Sequence, residues 1–144
     1  MGKECPFCRI ASGDVPAHEV FRKERLVAFL DTGPIRPGHV QVIPMEHFET
    51  FDELPPDLSR DIIHLGQRLA KVQKQIFQVD RVAFMFSGGD IAHVHAHLVP
   101  MVEKTDITSR RYIEEQVVTF RPLPSPGNEA LRNTAAMLAA GLLQ

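Results

Sequence analysis

The sequence predicts an α+β fold, an antiparallel sheet with its helices segregated to one side. Three observations predict it. Short β-rich runs are spaced as hairpins. One long apolar stripe runs at helical spacing. The order of the runs is strand, strand, strand, helix, strand, strand.

The elements follow in order. The segment from Cys5 to Ala11 is short and semi-apolar, and Gly13 ends it, so it forms one or two helical turns. "EVFRK" (Glu19–Lys23) and "LVAFLD" (Leu26–Asp31) are two strands joined tightly as a hairpin. "TGPIRPG" (Thr32–Gly38) is a turn-rich loop, and "HVQVIP" (His39–Pro44) alternates as a third strand. Leu58, Ile62, Leu65, Leu69, Val72 and Ile76 are spaced 4, 3, 4, 3, 4, which is one face of an α-helix. Pro55 and Pro56 mark its start, and it should run from about Asp57 to Phe77. "RVAFMFS" (Arg81–Ser87) is a fourth strand, "SGGD" (Ser87–Asp90) a tight glycine turn, and "HVHAHLV" (His93–Val99) a fifth strand. Beyond it, "EKTDITSRR" reads as a polar loop and "FRPLPSPG" (Phe120–Gly127) as an extended linker. "NEALRNTAAMLAAGLL" (Asn128–Leu143) is a C-terminal helix, with Asn128 as its expected cap.

Bulk properties narrow the function classes. A chain of 144 residues with 44% apolar content predicts one compact domain with a real core. A net charge of −2, mixed in sign, argues against attraction to nucleic acid or membranes. No apolar leader or spanning segment is visible, and Pro6 breaks the myristoylation pattern. A cytoplasmic protein is expected.

The chemistry concentrates in "HVHAHLV". Seven histidines occur in the chain, and three of them stand here at every second position. In a strand, His93, His95 and His97 would line one face, roughly 6.5–7 Å apart. Val94, Ala96 and Leu98 would face the core. Wet strand faces usually mix Thr, Lys, Glu and Ser, so three imidazoles point to a metal site or to acid/base and nucleophilic work. The two cysteines, Cys5 and Cys8, are spaced C-x-x-C. That spacing reads as a redox pair or as half of a zinc site. The redox reading wants a strand before the pair. The zinc reading wants two more ligands, which histidine can supply.

Three stretches carry a resemblance: "HVHAHLVP", "VAFLD" followed by "RPGHVQVIPMEHF", and "CPFCRIASGDVPAHEV". They occur in the order found in the histidine triad (HIT) family of nucleotide hydrolases and transferases, which the chain resembles from Cys5 to Met101. The resemblance implies a HIT-like domain over residues 1–108, with residues 109–144 as an extension packing on it. It implies a five-stranded antiparallel sheet with one long helix and a C-terminal helix, and a homodimer joined through its sheets. It implies a purine nucleotide substrate attacked at its α-phosphate by His95, with a covalent nucleotidyl-histidine resolved by water. His97 would bind phosphoryl oxygens and protonate the leaving group. The carbonyl of His93 would hold the ring of His95. Asp31 would take the ribose hydroxyls, and Phe7, Ile10, Phe29 and Leu30 would form the base pocket. His39 matches a histidine flanking the triad, and Gly88 and Gly89 belong to the turn that offers N–H groups to phosphate. Cys5, Cys8, His47 and His93 would hold a structural, tetrahedral zinc.

The chain departs from the family before His93. Gly89 stands where Gln is usual, and Asp90 where Ser or Thr is usual. An ionised carboxylate there would repel phosphate, so Asp90 should point elsewhere or hold a leaving-group amine. A purine nucleoside phosphoramidase is the leading expectation. A dinucleoside polyphosphate hydrolase and a non-catalytic nucleotide- or zinc-binding protein are the alternatives.

Overall fold

A computed structural model describes residues 5–107, 116–117, 119 and 122–144. A short helix, α1 (Pro6–Ser12), leads into a hairpin of β1 (Glu19–Lys23) and β2 (Leu26–Leu30). β3 (Val40–Pro44) follows, then a long helix α2 (Pro56–Phe77), β4 (Arg81–Phe86), β5 (Ala96–Met101) and α3 (Asn128–Leu142). The five strands form one antiparallel sheet in the order β1-β2-β3-β5-β4. The α+β expectation holds.

Alternation along the strands sorts side chains between two cores. Leu26, Ala28, Leu30, Val40, Val42, Ala96 and Leu98 face α2 and α3 in the larger core. There they meet Leu58, Ile62, Leu65, Leu69 and Val72, the stripe read from the sequence. Val27, Phe29 and Ile43 face the other way and are covered by Phe7 and Ala11 of α1. The two long helices therefore share one face, whereas α1 sits on the opposite one. β2 is buried along its whole length because both faces are covered.

Gln73 of α2 ties this frame to the histidines. It is fully buried, and its amide donates to the carbonyls of Gly38 at 2.8 Å and Leu98 at 3.2 Å. Those carbonyls adjoin His39 and His97, so the helix fixes the heights of β3 and β5 relative to each other.

Three sequence expectations need correction. The histidine strand starts at Ala96, not His93. Ladder pairing with β4 begins at Phe86–Ala96, while the N–H of Val94 is diverted to the carbonyl of Phe48 at 2.8 Å. His93 and His95 thus stand on a bent approach to the strand. The cap of α3 is Gly127, not Asn128; Asn128 is already helical, and no side chain caps the end. The helices are not all on one side: α1 lies opposite α2 and α3, because Phe7 and Ala11 cover Val27, Phe29 and Ile43. The expected polar loop and linker lie partly outside the described residues, as does the boundary between residues 108 and 109. α3 itself packs against α2, β1 and β2. No helix among the described residues is long and apolar enough to cross a membrane.

Candidate functional site

The bend before β5 turns the three histidines to different tasks. The ring of His95 is 2% exposed, and its Nδ1 lies 2.7 Å from the carbonyl oxygen of His93. A carbonyl only accepts, so Nδ1 carries the proton and donates. The lone pair of His95 is then on Nε2. Phe7 packs edge-on against this ring with centroids 5.1 Å apart.

His97 is held from behind by His39. The nitrogens His39 Nε2 and His97 Nδ1 are 2.8 Å apart. His39 Nδ1 accepts from the N–H of Ile35 at 3.2 Å, so its proton sits on Nε2 and is donated to His97 Nδ1. This leaves the proton of neutral His97 on Nε2. Burial drives the His39 pKa down to about 4, partly offset by Asp31 and reinforced by His97. Burial, then the neighbouring His95, also lowers the pKa of His97. Both rings are therefore neutral at pH 7.

Asp31 follows β2 and is locked in place. Its Oδ1 accepts from the N–H of Gly33 and its Oδ2 from Gln41 Nε2, both at 2.8 Å. A cavity of about 680 Å³ runs across the sheet from these groups. His95, His97 and Asp90 line one part; Asp31 and Gln41 line another; Phe7, Ile10, Phe29 and Leu30 supply apolar wall. The residues expected to hold base, ribose and phosphate are thus brought together. His39 stands behind His97, 3% exposed, with its ring 5.1 Å from the His97 ring.

Gly88 lines a second, smaller cavity that also touches His95. Gly88 and Gly89 are both exposed, and Gly88 adopts a left-handed φ of 58°. Asp90 does not point away as one sequence reading expected. Its Oδ1 is 3.7 Å from His95 Nε2, and its side chain is 83% exposed at the cavity mouth. Sequence reasoning also missed Gln41, His18, Asn128 and Arg132, which line the main cavity. The two α3 residues lie beyond the motifs, and no local signal marks them.

A second cluster lies behind the first. Helix α1 places the Sγ atoms of Cys5 and Cys8 on one side, with the Cys8 N–H directed to Cys5 Sγ at 3.4 Å. Cys8 Sγ is 3.3 Å from His47 Nδ1 and 3.5 Å from His93 Nδ1. Cys5 Sγ is 3.5 Å from His93 Nδ1, and the two Nδ1 atoms are 3.2 Å apart. His93 Nε2 donates to the carbonyl of Pro44 at 2.9 Å, which leaves Nδ1 as a lone-pair donor facing the thiols. Zinc bond lengths of about 2.3 Å to sulfur and 2.0–2.1 Å to nitrogen give tetrahedral edges of roughly 3.6 Å (S–N) and 3.4 Å (N–N). The four donors fit that geometry. Burial, a hydrogen bond with Cys5 and the charge of Cys5 raise the Cys8 thiol to about 11, so a metal bound there must displace its proton.

Comparisons with known proteins agree with this geometry. The profile of the HIT domain matches residues 12–104. An uncharacterized HIT-like protein of Methanocaldococcus jannaschii is 34% identical over 103 residues, covering 69% of this chain and 80% of that one. The adenosine 5'-monophosphoramidase of Schizosaccharomyces pombe is 34% identical over 101 residues, covering 67% of this chain and 73% of the relative. A zinc-bound histidine triad family protein from Mycobacterium smegmatis superposes with a TM-score of 0.76 at 26% identity, covering 100% of this chain and 96% of that one. With the triad, the sheet order and the family profile in agreement, this chain belongs to the HIT domain family.

Proposed function

We propose that the protein hydrolyses purine nucleoside 5'-phosphoramidates through a covalent nucleotidyl-His95. The observation that carries this reading is the 2.7 Å bond from His95 Nδ1 to the His93 carbonyl, which leaves Nε2 as the nucleophilic nitrogen at the cavity. In the first step Nε2 forms a bond to the α-phosphorus, and the P–N bond breaks with its electron pair going to the nitrogen, which takes a proton from water at the cavity mouth beside Asp90 and departs as the amine. The positive charge that develops on the His95 ring is steadied by the carbonyl on Nδ1–H. His97, a neutral donor fixed by His39, gives Nε2–H to a phosphoryl oxygen where negative charge grows. That role fits its tautomer better than full proton release. Water then attacks the phosphorus and loses its proton to solvent, while the P–Nε2 bond breaks and returns its electron pair to His95. The monophosphoramidase activity named for the yeast relative supports this chemistry.

Asp90 favours an amine leaving group over a second nucleotide. A carboxylate 3.7 Å from His95 Nε2 attracts an ammonium and repels the anionic leaving group of a dinucleoside polyphosphate. The test is rapid quenching during turnover of an adenosine or guanosine 5'-phosphoramidate. Mass spectrometry should show one nucleotidyl group per chain. Product release with no such adduct at any time would contradict the reading.

Asp31 takes the ribose in this account, because Gly33 and Gln41 hold its carboxylate in one orientation. Asp31→Ala should raise KM for ribonucleotides by about tenfold, the cost of a charged hydrogen bond lost to a bound ligand. It should raise KM for 2'-deoxy substrates less, since these keep only the 3'-hydroxyl, and so blunt the preference for ribonucleotides. Equal losses on both substrates would place Asp31 elsewhere in the mechanism.

Zinc is assigned to Cys5, Cys8, His47 and His93. When bound, it supplies a structural cross-link between α1, the segment after β3 and the approach to β5. A homodimer through β4 and α2 completes the proposal. β4 is an edge of the sheet, and Phe84 on it and Ile63 on α2 are 39% and 49% exposed. Sedimentation at micromolar protein should give twice the chain mass; a monomer alone would contradict the dimer.

A further inference from the structure

The main cavity is completed by a helix that lies outside the family profile. That profile ends at residue 104, whereas Asn128 and Arg132 of α3 line the same cavity as His95 and Asp31. The strand order shows which end they occupy. His97 lies on β5, Gln41 on β3, Asp31 at the end of β2 and His18 just before β1. Phosphate, ribose and base therefore lie in sequence across the sheet from β5 toward β1. α3 packs against β1 and β2, so Asn128 and Arg132 enter the lining from the end marked by Asp31 and His18, away from the His97 end.

The geometry points to Arg132 as a base-reading residue that selects 6-oxopurines, guanine and hypoxanthine, over adenine. The inference rests on the nucleotide reading of the site given above. A guanidinium offers five N–H donors and no acceptor. Guanine and hypoxanthine present two adjacent acceptors, O6 and N7, which match its fork in bidentate fashion. Adenine presents N7 beside an N6 amino group, and a donor facing a donor is repelled. The apolar wall is indifferent to this distinction, since both kinds of purine stack alike. Arg132 is exposed, and no hydrogen bond or ion pair joins it to the other described residues. Among the described residues nothing competes with a ligand for its donors. Asn128, one helical turn earlier, carries both a donor and an acceptor and can follow either base.

The experiment is calorimetric titration of the full chain with GMP, IMP and AMP, for the native protein, Arg132→Ala and Arg132→Lys. The expected result is that GMP and IMP bind about tenfold more tightly than AMP. Arg132→Ala should bring both down to the AMP affinity while AMP itself is unchanged. Arg132→Lys should keep part of the preference, as a point donor without the fork. IMP behaving as GMP assigns the contact to O6 and N7, because IMP lacks the 2-amino group. Equal affinities in the native protein, or equal losses for all three nucleotides in Arg132→Ala, would overturn the inference. Arg132 is exposed, so matched melting temperatures check that the variants are folded. The readout needs no turnover. A base preference lost in Arg132→Ala, in a protein that never forms a covalent adduct, would uphold this inference while contradicting the catalytic reading.

Discussion

Replacing His95 by alanine should abolish the covalent intermediate and reduce turnover by roughly four decades or more, a loss of several kcal/mol of transition-state stabilisation. Neither of the other triad histidines can take its place. The ring of His97 has its Nδ1 occupied by His39, and its Nε2 carries a proton. His93 has Nε2 on the Pro44 carbonyl and Nδ1 turned to the thiols. Of the three, only His95 combines a fixed N–H on one side with a free lone pair on the cavity side. His97→Ala should be milder, at about 10²–10⁴-fold, because it removes a donor and not the bond-forming atom. Nucleotide binding should survive both changes, since Asp31 and the apolar wall are untouched. Single-turnover kinetics on the two variants will separate these cases. Equal rates in native protein and His95→Ala would defeat the assignment.

Loss of zinc should have the largest effect on stability. α1 is only two turns long and holds the sheet through Phe7 and Ala11. The proposed metal joins it to His47 and His93, and the carbonyl of His93 orients His95. Stripping the metal should therefore lower the melting temperature by roughly 10 °C or more, about 4 kcal/mol for a domain of this size. It should also slow catalysis, through a looser His95 rather than a lost reactive group. Elemental analysis of protein purified without chelator should give about one zinc per chain. Calorimetry with and without chelator should then show the shift. Absence of zinc, with both thiols freely titratable and no change in melting, would contradict the site.

The sequence made much of this fold legible because the signals were periodic. The apolar stripe from Leu58 to Val72 is in the core, and the hairpin of β1 and β2 pairs as expected. Local chemistry also marked the cysteines and the histidines, although it could not show that His93 leaves the strand. That departure depends on Phe48 capturing the N–H of Val94, a contact between residues far apart in the chain. Asp90 was left between two places for a related reason. Charge arguments alone allowed it to point elsewhere or to meet a leaving-group amine, and the turn at Gly88 brings it to the rim beside His95. Gln41 alternates in β3 like any polar strand residue, and nothing local says that its amide holds Asp31. Arg132 and Asn128 reach the cavity only because α3 folds back onto β1 and β2.

The central claim is that His95 Nε2 becomes bonded to the α-phosphorus. The most direct measurement is peptide mapping of the native enzyme, acid-labile adducts being preserved by quenching at alkaline pH during turnover of a purine nucleoside 5'-phosphoramidate. The account predicts a nucleotidyl group on His95 alone, absent from His95→Ala. An adduct on His93 or His97, or on a residue outside the triad, would contradict it.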